Sequence, residues 1–382
     1  MKENKQKTSI GWKVLSGILA AALITVSCLY GFGVGTSNSK NVNGNTAAIT
    51  ATSQSNSGNN SANALSLWND GAKLKAQLTD YIEAVTTAGS KDFIPVENRI
   101  AVFDFDGTLF CETDPVYFDY RLFYHRVTED ASYKDKATDT EKETAAKIKT
   151  MMETGESAKG LETDHGKGVA SAFSGMTVDE FYAYVKDFRN QPMTSYNNMK
   201  NGEAFYKPML QVVDYLQDNG FTVYIVSGTD RLIVRGVVED SEMKLPARQI
   251  IGSDETLVSD HQNGEDGLTY QYTNKDKLIL GGDFLIKNLK MNKVSVIEQE
   301  IGQQPVLSFG NSSGDSSMAN FVITNNKYKS AAYMLCCDDL KRENGNTEKA
   351  EKMKKSCEEN GWTAISMKDD WKTIYGDSVT KK

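Results

Sequence analysis

Two carboxylates, Asp104 and Asp106, stand two residues apart directly after the apolar run Arg99-Ile100-Ala101-Val102-Phe103. Side chains at i and i+2 of an extended chain leave the same face, so both acids converge where the run ends. Gly107 lets the backbone turn away behind them. Two like charges this close call for a cation, and an all-oxygen donor set suits Mg²⁺. The competing reading of the pair alone is an Asx-rich turn that closes a strand.

The elements around the pair are read from periodicity and punctuation. Leu74, Leu78, Tyr81, Ile82 and Val85 recur at helical spacing, with Asn69 or Asp70 as cap and Gly89 as stop. The run 99–103 is continuously apolar, as in a strand buried within a parallel sheet. Pro208 opens a helix through Met209, Leu210, Val213 and Leu216, which Asn219-Gly220 ends. Residues 221–226 predict a second strand ending in Ser227-Gly228-Thr229, and Ile250-Ile251-Gly252 a third. A helix over 294–301 leads to a fourth strand, 306–309, ending in Gly310-Asn311; residues 330–335 predict a fifth. This alternation predicts an α/β fold with a doubly wound, parallel, Rossmann-like sheet. Ligands sit at the carboxyl ends of such strands, where the acidic pair and the two other polar clusters fall. Residues 113–202 break the rhythm. A helix over 138–153 and another from Thr177, with Glu180 completing a capping box, predict a helical cap inserted after the first strand.

The full run Asp104-Phe105-Asp106-Gly107-Thr108-Leu109 after a strand resembles the first motif of the haloacid dehalogenase superfamily. The resemblance implies that Asp104 is a nucleophile forming an aspartyl-phosphate and Asp106 the general acid and base, with Thr108 on the substrate side. It implies that Ser227 and the Gly228 amide bind a phosphoryl oxygen. It also implies that Lys293, with Lys290 and Lys287 as alternatives, offsets the negative charge. The fourth motif usually reads Gly-Asp-x-x-x-Asp; here it is Gly310-Asn311-Ser312-Ser313-Gly314-Asp315. The implied Mg²⁺ ligands are Asp104, Asp106, Asn311 and Asp315, with an amide in place of one carboxylate. Gly-Asn-Ser-x-Gly-Asp, together with Trp68-Asn69-Asp70-Gly71 and the stretch 361–372, resembles an exported branch near the phosphoserine and phosphorylcholine phosphatases. The likeness runs over about 67–375.

An acid at 106 fits a departing alkoxide, which needs a proton. The resemblance therefore implies a Mg²⁺-dependent phosphatase for a small phosphorylated metabolite. A phosphotransferase or a non-catalytic small-ligand binder on the same fold is the alternative. Glu112 lies near where phosphoserine phosphatases meet the substrate amine, and it equally fits a charged hinge residue. Arg121 and Arg126 read as surface pairs or carboxylate ligands. Tyr117, Phe118, Tyr120, Phe123 and Tyr124 read as core or as a cage for a quaternary ammonium. His125, His165 and His261 form no cluster.

The 382 residues carry 43 Lys and Arg against 51 Asp and Glu, and no long basic run follows the first residues. That balance argues against a nucleic-acid binder working through phosphate neutralisation. Lys2, Lys5, Lys7 and Lys13 precede an apolar stretch over 14–34, which predicts an export signal or an uncleaved anchor in residues 1–34. Within it Thr25-Val26-Ser27-Cys28 resembles a lipobox. Residues 35–65, rich in Ser, Asn, Thr and Gly, predict a flexible tether. The core domain is then 66–112 with 203–382, the cap 113–202, and the location extracytoplasmic with membrane tethering at the N-terminus. Cys111, Cys336, Cys337 and Cys357 match no zinc spacing. They read as small buried residues, with a bond from Cys357 to Cys336 or Cys337 as the alternative.

Overall fold

A computed structural model describes residues 65–382. The expected signal or anchor, Cys28 and the tether up to 64 lie outside the described residues. Among the described residues no helix is long and apolar enough to cross a membrane.

Seven strands form one sheet in the order β5-β4-β3-β1-β6-β7-β8. They are β1 (Ile100–Phe103), β3 (Thr222–Asp230), β4 (Ile250–Ser259), β5 (Leu278–Ile286), β6 (Leu307–Gly310), β7 (Ala331–Cys336) and β8 (Thr363–Ser366). All neighbours are parallel except β4 and β5, so the α/β reading holds with an antiparallel edge added. The central strands are apolar on both faces because helices cover both; every residue of β1 and β6 is buried. Aromatic rings knit the middle together, with Phe103 stacked on Phe309 at 4.2 Å and Phe309 on Tyr333 at 4.9 Å.

The first helix, α1 (Lys73–Thr86), buries all five predicted apolar positions. Its cap differs from expectation: Ala72 stands there without a side-chain bond. Asn69 instead joins its amide to the Asp370 carbonyl at 2.8 Å. Trp68 meets Trp371 edge-on at 5.8 Å, so the two outlying stretches of the family resemblance close on each other. Between β1 and the short strand at Tyr196 come four helices: α2 (Phe118–Thr128), α3 (Asp139–Thr154), α4 (Leu161–Ala172) and α5 (Val178–Arg189). Thr138 with Glu141 and Thr177 with Glu180 form complete capping boxes at α3 and α5. A short strand, β2 (Tyr196–Asn197), returns the chain to the body and pairs with β9 (Thr380–Lys381). Then α6 (Lys207–Asp218) leads into β3, α7 (Arg231–Val238) into β4, α8 (Met291–Glu300) into β6 and α9 (Ser316–Ile323) into β7. Helix α10 (Thr347–Asn360) leads into β8, and the short α11 (Met367–Asp370) follows it.

The four described cysteines are all free, three of them buried, in keeping with the reading as small buried residues and not with its alternative, a bond from Cys357 to Cys336 or Cys337. One expectation is corrected. The second strand does not stop before Ser227-Gly228-Thr229; it runs on to Asp230 through a register shift. Val226 faces Ile251 and Asp230 faces Ser253, so four steps on β3 match two on β4. The extra residues are thrown out of the ladder as a bulge.

Candidate active site

Three neighbouring strands, β3, β1 and β6, deliver the polar clusters to one cavity of about 430 Å³. Asp104 follows β1 and donates its amide to the Phe309 carbonyl at 2.8 Å, which holds it against the end of β6. Asp106, Glu112, Thr229, Asn311 and Asp315 join it on the sheet side, while Tyr117, Tyr120, Met151 and Glu162 face them from the helices.

Lys293 lies in the first turn of α8 with no exposed surface. Its ammonium donates to Asp104 Oδ1 at 2.5 Å and to Asp315 Oδ1 at 2.6 Å. Burial works against this ammonium, yet the two carboxylates hold its pKa above the ordinary lysine value. Lys287 and Lys290 also line the cavity. Burial, reinforced by Asp315 and opposed by Lys293, pushes the Asp104 carboxyl up to about 7.

Asp106 accepts a hydrogen bond from the Thr229 hydroxyl at 2.7 Å through Oδ2. Its Oδ1 is buried with no partner. Burial first, and the charge of Asp119 next, raise its pKa well above the ordinary carboxylate range, against the pull of Thr229. Such a carboxyl can hold a proton at neutral pH and give it up to a strong base.

The β6 loop is built on Asp315. Its Oδ2 accepts from the amides of Asn311 at 3.1 Å and Ser312 at 3.0 Å and from the Ser312 hydroxyl at 3.2 Å. With Oδ1 on Lys293, both its oxygens are engaged by protein donors, so Asp315 shapes the loop. Asn311 Nδ2 donates to Glu112 Oε1 at 3.0 Å. Burial raises Glu112 to about 7, Asn311 opposing and Asp315 adding. Gly107 permits this contact: its φ is +71°, and a Cβ there would stand 1.8 Å from Asn311 Nδ2 and 2.6 Å from the Glu112 carboxyl.

The donor set fits Mg²⁺. Asp104 keeps its second oxygen free of protein donors among the described residues, the buried Asp106 Oδ1 is unpartnered, and Asn311 spends its nitrogen, not its oxygen, on Glu112. These are hard oxygen donors from residues that line one cavity.

Some expected residues sit elsewhere. Thr108 is fully buried and does not line the cavity. Ser227 is also covered, its hydroxyl accepting from the Thr229 amide at 3.0 Å. The bulge presents Gly228 and Thr229 to the cavity. Arg121 pairs with Asp114 at 2.9 Å and Arg126 with Asp130 at 2.7 Å, both away from the cavity. Phe118 and Phe123 are core, whereas Tyr117 and Tyr120 line the cavity. Sequence reasoning missed the roles of Thr229 and Asp119. The one signal was an acid set among buried aromatics at Phe118-Asp119-Tyr120.

The haloacid dehalogenase-like hydrolase family matches residues 101–320. Among solved structures, a conserved functionally unknown protein from Anaerococcus prevotii is 14% identical, with 78% of this chain and 94% of that one covered at a TM-score of 0.47. A cytosolic 5'-nucleotidase IIIB bound to cytidine is 13% identical, with 80% and 91% covered at 0.47. A phosphoserine phosphohydrolase-like protein from Francisella tularensis is 13% identical, with 62% and 87% covered at 0.34. No curated protein matches the chain.

Proposed function

The chain belongs to the haloacid dehalogenase-like hydrolase family, and on that premise we propose that it is a Mg²⁺-dependent phosphatase of small phosphomonoesters. The observation that carries this reading is the shared cavity of Asp104, gripped by the buried Lys293, and Asp106, gripped by Thr229. One carboxylate is charge-balanced for attack; the other is held where its proton is retained.

An Asp104 oxygen attacks phosphorus. The bond from phosphorus to the ester oxygen breaks, and an aspartyl-phosphate forms. Asp106 gives its proton to the departing alkoxide, then takes one from the water whose oxygen attacks phosphorus. The bond to Asp104 breaks and inorganic phosphate leaves. Lys293 balances the charge of Asp104 throughout, and Asp315 holds both the ammonium and the β6 loop in place. The Gly228 and Thr229 end of β3 supports the phosphoryl oxygens, with Ser227 behind it. Asp104, Asp106 and the Asn311 oxygen would hold Mg²⁺, with Asp315 beside them, and the ion would supply positive charge against the phosphoryl oxygens.

Residues 113–202 act as the cap that excludes water and selects a small substrate. The Lys-rich start and the apolar stretch after it support an enzyme tethered outside the cytoplasm. The test is hydrolysis of an aryl phosphate with Mg²⁺, with chelator and as Asp104→Asn. Metal-dependent turnover lost in the variant supports the reading; turnover that survives Asp104→Asn defeats it.

A further inference from the structure

Six residues of the cavity wall are exposed: Ser157, Glu162 and Thr163 from the cap, and Lys290, Asn292 and Ser313 from the core. The cavity therefore reaches solvent between the turn that joins α3 to α4 and the segments that follow β5 and β6. Among the described residues no hydrogen bond or ion pair joins 151–163 to 287–292 or 311–315. This side of the cap is untied.

The other side is fastened to the core twice. At the outer edge of β5, the Gly175 amide donates to the Leu280 carbonyl at 2.8 Å and the Leu280 amide to the Met176 carbonyl at 2.9 Å. Thr177 stands opposite Ile279 as one more antiparallel step. The Phe284 ring presses on the backbone of α4, where a Cβ at Gly166 would stand 2.5 Å from it. Helix α5 lies as closely on α7: a Cβ at Gly236 would stand 2.8 Å from Val185. The Arg189 guanidinium donates to the carbonyls of Gly236 at 2.9 Å and Glu239 at 2.6 Å. Opening this side would break these four hydrogen bonds and bare Leu280 and Val185, neither of which has exposed surface.

Residues 155–160 carry no such ties. All six are exposed. Their hydrogen bonds stay within the turn and its helix ends, as from the Gly155 amide to the Met151 carbonyl at 2.8 Å and from the Leu161 amide to the Ala158 carbonyl at 3.1 Å. Gly155 and Gly160 bound the turn at φ +74° and +82°, and a Cβ on either would meet nothing within 4 Å. Glycine serves the backbone there, not packing. Beneath the turn, Lys147 pairs with Asp164 at 2.6 Å and holds α3 to α4. A segment with exposed backbone and no tertiary bonds opens at the lowest cost.

We propose that the cap stays latched to the core throughout turnover and that residues 155–160 are the lid, swinging at Gly155 and Gly160 to admit substrate and release product. The proposal rests on the phosphatase reading above.

A disulfide across the latch separates a lid from a hinged cap. Thr177 and Ile279 face each other across an antiparallel bridge, where Cα atoms lie about 4.5–5.5 Å apart, within reach of a disulfide. In Thr177→Cys/Ile279→Cys, with the bond confirmed by mass spectrometry, Mg²⁺-dependent hydrolysis of an aryl phosphate should differ by less than about twofold between oxidised and reduced forms. A loss of about tenfold or more on oxidation, restored by reductant, overturns the proposal and spares the phosphatase reading. Ser157→Cys/Ser313→Cys joined by a bifunctional maleimide ties the lid across the mouth. Its kcat/KM should fall at least about tenfold below the same protein capped with N-ethylmaleimide; equal turnover in the two overturns the proposal. If either variant does not fold, hydrogen exchange on the wild type decides. With Mg²⁺ and inorganic phosphate, the amides of 156–160 should slow, and those of Gly175 and Leu280 should be slow with or without them. Latch amides that exchange as fast as the turn, or a turn that phosphate does not slow, overturn the proposal. No hydrolysis of the aryl ester by the wild type removes both readings.

Discussion

Lys293 reaches Asp104 Oδ1 at 2.5 Å from a position with no exposed surface. A buried ammonium is stable there only because Asp104 and Asp315 flank it, and those acids are tolerable only because it is present. Lys293→Met keeps the length of the side chain and removes the charge, leaving two buried carboxylates face to face. Breaking such a cluster costs about 3–5 kcal/mol. We expect that loss at pH 8, a smaller one at pH 5 where Asp104 takes up its proton, and turnover reduced at least about a hundredfold. Thermal melts at the two pH values, with initial rates, check it. An unchanged melt at pH 8 would show that the ammonium is not the counter-charge.

Thr229 is the only hydrogen-bond donor to Asp106 among the described residues, at 2.7 Å. Thr229→Val preserves shape and leaves both Asp106 oxygens without a donor. The Asp106 carboxyl, already raised by burial, climbs further. Return of its proton stays easy, but removal of a proton from water requires the ionised form. We expect kcat to fall by about tenfold and the acid limb of the pH–rate profile to move to higher pH. A profile that superimposes on the wild type would remove Asp106 from the base role.

Folded stability should fall as pH rises. Asp104 and Glu112 are pushed up to about 7, chiefly by burial, from ordinary values near 4. Each binds its proton more tightly in the folded chain than in the unfolded one. Their contribution is therefore full below about 4 and lost progressively up to about 7. Without metal the melting temperature should drop between pH 5 and pH 8. Mg²⁺ favours the ionised forms, so it should raise the melting temperature more at pH 8 than at pH 5. Equal Mg²⁺ shifts at both values would separate these two acids from the metal site.

What the sequence showed of this molecule follows from where apolar residues had to be continuous. β1 and β7 lie inside the parallel sheet and read as unbroken apolar runs, and β6 reads as one interrupted only by Ser308. β5 did not: Leu278 and Leu285 are exposed and Leu280 is buried, the pattern of an antiparallel edge. Helix α10 buries only Ala350 and Cys357, too few for an apolar stripe. Helix α4 carries Gly166 and Gly168, and glycine is a poor helix former. Both sit where a Cβ would strike Phe284 at 2.5 Å or Phe123 at 2.7 Å, so close packing replaced propensity. At the site, Asp104 and Asp106 were legible because local geometry alone converges them. Thr229 depended on a bulge and Asp119 on how α2 docks, and neither leaves a local trace.

Gly107 is predicted to resist even the smallest substitution. Its φ of +71° disfavours any side chain, and a Cβ would stand 1.8 Å from Asn311 Nδ2. Gly107→Ala must therefore displace Asn311, break its bond to Glu112, or shift the loop that carries Asp106. The strain of such a backbone position is about 1–3 kcal/mol before any clash. We expect a loss of stability above that range and at least a tenfold weaker apparent Mg²⁺ affinity, read by activity against metal concentration. Alanine tolerated without change in either would show that the loop relaxes freely.

The amide at 311 answers to Glu112. Asn311 Nδ2 donates to Glu112 Oε1 at 3.0 Å, a bond that a carboxylate at 311 could not make. Asn311→Asp would set a second negative charge against Glu112, so without metal the variant should melt lower than the wild type at pH 8, and less so at pH 5. Glu112→Gln in the same chain removes the repulsion and supplies a donor, which should recover much of the loss. A double-mutant cycle is expected to give a coupling of about 0.5–3 kcal/mol. Mg²⁺ should shrink the penalty of Asn311→Asp, because the cation takes up the added charge. A cycle with no coupling would mean that the choice of asparagine is set by the metal alone and that Glu112 is a bystander.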